Sequence, residues 1–152
     1  MLGKALGFYR WSQPWRKQFG LIPGLRLALG LRQAKWAAAA NTQIDIAVPG
    51  LPSPIRVRAG SSDVEVFHQV FQQHQAEFPL EGEPAAIVDA GANIGLTAAV
   101  FPARFPRTKV LALEIDTANF ALLKHNASAY PNIQPIHKGL WSHATAIRIV
   151  NP

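Results

Sequence analysis

The sequence predicts an α/β fold built on a parallel sheet. Three observations carry that prediction. Short apolar runs at 85–89, 109–114 and 133–137 are bounded by turn residues, as strands are. Helical patterns separate them, one from about Ile94 and one from Thr117, so the order reads βαβαβ. The first junction, Ile87-Val88-Asp89-Ala90-Gly91-Ala92-Asn93-Ile94-Gly95, takes an apolar strand through an acid and two glycines into a helix.

The elements follow in order. Residues 1–40 form a basic, aromatic arm with Lys4, Arg10, Arg16, Lys17, Arg26, Arg32 and Lys35 and no acid. Trp11, Trp15, Phe19 and Trp36 are interleaved with these cations, and Pro14 and Pro23 predict a division into two or three short helices. Such an arm reads first as a packing element that covers the catalytic domain. Its second reading is contact with an anionic membrane surface, and nucleic acid ranks last. Residues 41–84 are a lead-in region. Ile44–Val48 and Ile55–Val57, with Pro49-Gly50 and Pro52 between them, predict a hairpin. Ser62 and Glu65 have capping-box spacing, and Val64, Phe67, Val70, Phe71 and Phe78 recur at helical intervals. Gly82-Glu83-Pro84 breaks the chain before residues 85–152. There, strand 85–89 reads as apolar on both faces, like a central strand. Pro102 should kink or end the next helix, Thr117 should cap the following one, and Phe120, Leu123 and Ala127 mark its buried face. Residues 144–149 predict one more strand, which could fold back over the edge of strand 85–89.

A glycine turn from strand into helix exposes backbone N–H groups and a helix N-terminus to a ligand. Glu114 ends the next apolar run, the place where an acid reads a ribose diol in a βαβ unit. Spacing selects among cofactors. The nicotinamide fingerprint G-x-G-x-x-G needs glycine at Asn93 and Leu96, and a P-loop needs a longer turn followed by lysine. Neither is present, and D-x-G-A-N-x-G remains. The five histidines lack metal-ligand spacing, and no G-x-S-x-G or Cys/His pair suggests covalent catalysis.

That motif resembles the first motif of class I S-adenosylmethionine-dependent methyltransferases. The text IVDAGANIGLTAAVFPARFP, then VLALEIDTANFALLKHN, with Arg56–Asp63 upstream and Ile136–Ser142 downstream, is similar to the FkbM-type family over roughly residues 55–150. Ile115 stands where that family has proline after the acid. The resemblance implies a Rossmann-like sheet of strand order 3-2-1-4-5-7-6, of which this chain carries the first half. It implies S-adenosylmethionine as cofactor and O-methylation of a small molecule or glycan. Asp89 would hold the amino end of the methionine moiety, and Gly91, Ala92, Asn93 and Gly95 would form the turn. Glu114 would accept from both ribose hydroxyls, and Leu140, or Trp141 beside it, would flank the adenine. Asp116 and Asn126 read as structural. The segment that usually carries acceptor contacts and a catalytic base is missing, so no catalytic residue is assigned and the chain reads as a truncated, cofactor-binding fragment. The alternative is a non-catalytic remnant or interaction module, anchored by its arm to a membrane or partner. Truncation would leave Ala85–Val88 on an open sheet edge that invites self-association.

Composition bounds the rest. The 152 residues have the length of one domain, nearly half are hydrophobic, and the formal net charge is +6. Absence of cysteine excludes disulfides and thiolate metal sites and says nothing of compartment. No uncharged stretch reaches membrane-span length and the N-terminus lacks an apolar signal core, so the expected location is cytoplasmic, with peripheral contact at the inner face of a membrane as the arm's second reading.

Overall fold

The computed structural model describes residues 2–36, 42–143 and 145–146. The chain is mixed α/β and divides into two compact units, residues 1–75 and 76–152. Most of the strand expected at 144–149 lies outside the described residues.

The first unit contains helices α1 (Leu2–Phe19) and α2 (Leu21–Trp36), strands β1 (Gln43–Ile46) and β2 (Ile55–Arg58), and helix α3 (Asp63–Phe71). The arm is two helices, and the break falls at Gly20 instead of at either proline. Pro23 lies in the first turn of α2, where a backbone N–H has no intrahelical acceptor to lose. Pro14 rides inside α1. One residue before the carbonyl it leaves without a donor, the carbonyl of Tyr9 accepts from Ser12 Oγ and from the Arg16 guanidinium, both at 3.0 Å.

The arm's apolar residues build a core with the rest of this unit. Trp15, Leu27, Leu31, Ile46, Ile55, Val57, Val64 and Phe67 are all fully buried. Trp15 meets Phe67 edge-on at 5.9 Å and stacks with Phe19 at 6.3 Å. Gly24 lets α2 approach this point, because a Cβ there would collide with the Trp15 backbone carbonyl. β1 and β2 form the expected antiparallel hairpin, Ile46 opposite Ile55. The expected capping box does not form. Ser62 is itself helical and its side chain makes no cap bond. Ser61 Oγ accepts from the Asp63 N–H instead, at 3.2 Å. The buried Asp63 carboxylate accepts the Arg58 N–H at 2.8 Å and the Arg58 guanidinium at 2.8 and 2.9 Å, so it ties the end of β2 to the start of α3. α3 ends at Phe71, and Phe78, expected on its buried face, lies beyond it and is exposed.

The second unit is β3 (Ala86–Ala90), α4 (Leu96–Arg104), β4 (Lys109–Leu113), α5 (Thr117–Ala127) and β5 (Ile133–Ile136). The three strands are parallel in the order β3-β4-β5, with Asp89 opposite Ala112 and Leu111 opposite Gln134. This arrangement is compatible with a partial Rossmann-like fold. β4 is the central strand, and its Val110 and Ala112 are fully buried. β3, apolar on both faces like a central strand, lies at the edge of the sheet among the described residues, as expected where the strand that would follow is absent, and Val88 is 56% exposed. Pro102 does not end α4 at once: the helix runs on two residues to Arg104, and Phe105 donates back to Phe101 at 2.7 Å. Asp116, not Thr117, caps α5, accepting from the Asn119 N–H at 2.8 Å. Leu123 and Ala127 are buried as expected, with Leu122 and Asn126, while Phe120 is only half-buried and stacks on His137 at 4.5 Å.

An apolar strand edge with unpaired N–H and C=O groups is a template for another chain. The full chain should therefore self-associate with rising concentration in light scattering. Val88→Lys, which places a charge on the edge strand, should reduce that association. A monodisperse monomer at high concentration would refute this.

Candidate functional site

The sequence-predicted residues converge at the C-terminal ends of β3 and β4, where open parallel sheets bind ligands. Asp89 is the penultimate residue of β3, Gly91–Gly95 lead into α4, and Glu114 follows β4 directly. The chain reverses tightly here. Asn93 adopts a left-handed backbone at φ 52°, as its short amide side chain allows. Gly95 has φ 87°, and a Cβ there would lie 2.7 Å from Leu123 Cδ1, so glycine is what lets α4 begin against α5. Gly91, also at positive φ, faces open space.

The loop's donors are turned inward. Gly91 and Ala92 N–H both donate to the Leu113 carbonyl, at 2.9 and 2.8 Å, and Gly95 N–H donates to the Ala92 carbonyl at 2.8 Å. Asn93 N–H donates to Glu114 Oε2 at 2.8 Å. The expectation that this turn exposes N–H groups to a ligand is thus corrected for these four residues. For Gly91, Ala92 and Asn93 the cause is register: parallel pairing brings the end of β4 beside the turn, so its acceptors reach the loop first, while Gly95 closes back on Ala92 within the turn.

Glu114 is buried and already partnered. Its Oε1 accepts from the Asp116 N–H at 2.7 Å while Oε2 holds Asn93. Each carboxylate oxygen has a second lone pair for a further donor. The carboxylate therefore braces the two loops that border the site. Asn126, buried on α5, donates to the Ile94 carbonyl at 2.8 Å and holds the same loop from behind. These two bracing contacts have no local sequence signal, because they join residues far apart in the chain.

What the site leaves unsatisfied is acceptors. Asp89 Oδ2 and Asn93 Oδ1 are buried atoms without a hydrogen-bond partner among the described residues. Burial raises the Asp89 carboxyl above its ordinary value, and the charge of Glu114 raises it further. No ion pair among the described residues involves Asp89 or Glu114. The site thus brings together two carboxylates, of which Glu114 is hydrogen-bonded at both oxygens, and an amide oxygen.

The segment after β5 borders this end of the sheet. His137 Nε2 lies 3.0 Å from the Ile115 carbonyl, and Gly139 packs on the Ile115 side chain, where a Cβ would come within 3.0 Å. Leu140 and Trp141 follow and are 67% and 63% exposed, so Trp141 does not serve the core. Among the described residues no group of three or more metal-ligating side chains forms. No protein-family model matches the chain, and no curated protein matches it.

Two outcomes test this geometry. A raised folded-state value means that protonated Asp89 is the form the fold tolerates best. Its stabilising contribution is complete below the ordinary aspartate range and is lost as pH rises through the folded value. Asp89→Asn should therefore match wild-type stability in acid and exceed it at neutral pH, as read by thermal melts across pH. Loss of the Glu114 acceptor should cost about 1–3 kcal/mol, because Asn93 and Asp116 N–H groups lose a charged partner. Glu114→Ala should show this in urea unfolding, with faster amide exchange at those two residues.

Proposed function

We propose that this chain binds S-adenosylmethionine at the C-terminal ends of β3 and β4, as part of a methyltransferase of the FkbM type. One observation carries the proposal: two buried acceptors beside the glycine turn, Asp89 Oδ2 and Asn93 Oδ1, have no hydrogen-bond partner among the described residues. A phosphate-bearing cofactor needs donors, and the N–H groups of Gly91, Ala92, Asn93 and Gly95 are engaged elsewhere. A cationic cofactor with an ammonium group and a ribose diol suits acceptors. In this reading Asp89 accepts from the ammonium, and pairing returns its carboxyl toward the ionised form. Glu114 uses its remaining lone pairs for the ribose hydroxyls while keeping both loops in place. Leu140 supplies apolar surface for the adenine.

When bound, the sulfonium supplies an activated methyl group, so the protein needs no nucleophile of its own. Its task is to align an acceptor oxygen with that methyl and exclude water. The acceptor, a small-molecule or glycan hydroxyl, and the base that takes its proton are not assigned to residues.

Calorimetry on the full chain tests the reading. S-adenosylmethionine should bind, and a nicotinamide dinucleotide should not. Asp89→Asn keeps the shape and removes the charge, so affinity should fall about ten- to a hundredfold, the worth of one charge-assisted hydrogen bond. Absence of binding by a folded wild type, or equal affinity in Asp89→Asn, would sink the proposal. Binding without methyl transfer to any hydroxyl acceptor would favour the non-catalytic alternative.

A further inference from the structure

The formal net charge of the chain is concentrated in one unit. Residues 1–75 carry nine Lys and Arg against three acids, whereas residues 76–152 carry six of each. The three acids are already paired: Asp45 with Arg56, Asp63 with Arg58 and Glu65 with Lys35. Arg10, Lys17, Arg26 and Arg32 are exposed.

α2 is apolar on two opposite sides. Gly24, Leu27, Ala28, Leu31 and Ala34 are its buried face. Ile22, Leu29 and Trp36, spaced by seven residues and so nearly in one row, lie on the opposite face. They are 63%, 50% and 75% exposed. Arg26 and Arg32 flank the row at helical positions on either side of it. At its C-terminal end the row meets a groove of about 560 Å³ between α1 and α2, lined by Gly7, Phe8, Trp11, Arg32, Lys35 and Trp36. Tyr9 adds an exposed ring on α1.

We infer that the outer face of α2 docks on an anionic phospholipid surface. An apolar row bordered by arginines, with a tryptophan at its end, matches a boundary with acyl chains on one side and phosphates on the other. Among the described residues no helix is long and apolar enough to cross a membrane, so this contact lies in the interface. Charge complementarity decides the occupant. A second copy would bring the same uncompensated cations face to face, which is repulsive. A nucleic acid would match the cations but leave Ile22 and Leu29 without a role, since bases stack on aromatic rings and not on aliphatic side chains.

Vesicle flotation of the full chain tests the inference independently of any cofactor. The chain should float with vesicles of equimolar phosphatidylcholine and phosphatidylserine at low salt, release at high salt, and ignore vesicles of phosphatidylcholine alone. Arg26→Glu with Arg32→Glu should weaken partitioning by at least about fivefold per cation. Leu29→Ser with Trp36→Ser should weaken it by about tenfold or more while leaving the melting temperature unchanged, since both side chains are exposed. Equal flotation with neutral and anionic vesicles overturns the inference, as does flotation unaffected by Leu29→Ser with Trp36→Ser. So does a dimer in light scattering that this double variant dissolves, or DNA retention by a chain that ignores anionic vesicles.

Discussion

Two backbone N–H groups from different loops converge on one buried carboxylate, and the candidate site depends on that convergence. Glu114 receives Asn93 at one oxygen and Asp116 at the other, each below 3 Å. The first bond fixes the turn that leaves β3, and the second fixes the turn that enters α5. Asp116 in turn caps α5, and Asn126 of that helix returns to hold the Ile94 carbonyl. The loop is closed on itself through three side chains of the neighbouring βα unit. A charged acceptor makes these bonds stronger than neutral ones would be.

The same clamp sets the chemistry left over. With the turn's donors spent on Leu113, Ala92 and Glu114, the polar atoms left unsatisfied here are the buried acceptors Asp89 Oδ2 and Asn93 Oδ1. Asp89 then sits partly desolvated near the Glu114 carboxylate, its Oδ2 without a partner among the described residues, which is costly to the fold when it is ionised.

The first unit obeys a different logic. Its core is made by the arm, not merely covered by it: Trp15, Leu27 and Leu31 are as buried as Ile55 and Phe67 of the hairpin and α3. One side of α2 serves that core. The other side keeps large apolar groups in water beside exposed arginines that have no acidic partner among the described residues, a combination with no benefit to the fold itself.

The sequence alone determined the periodic and local features. Apolar runs punctuated by glycine and proline located the hairpin and the three parallel strands, because strand length and turn chemistry are short-range properties. The motif Asp89–Gly95 with Glu114 located the candidate site for the same reason: a strand-to-helix turn needs those residue types at that spacing. Tertiary structure decided what depends on partners distant in the chain. Arg58 claimed Asp63 and displaced the Ser62 cap, and Asp116 rather than Thr117 took α5. Gly20 ended α1, where local rules had placed the breaks at the prolines. Above all, the direction of the loop's N–H groups was invisible in the motif. It follows from which acceptors the adjacent parallel strand brings into reach, and that is set by sheet register, which no local pattern encodes.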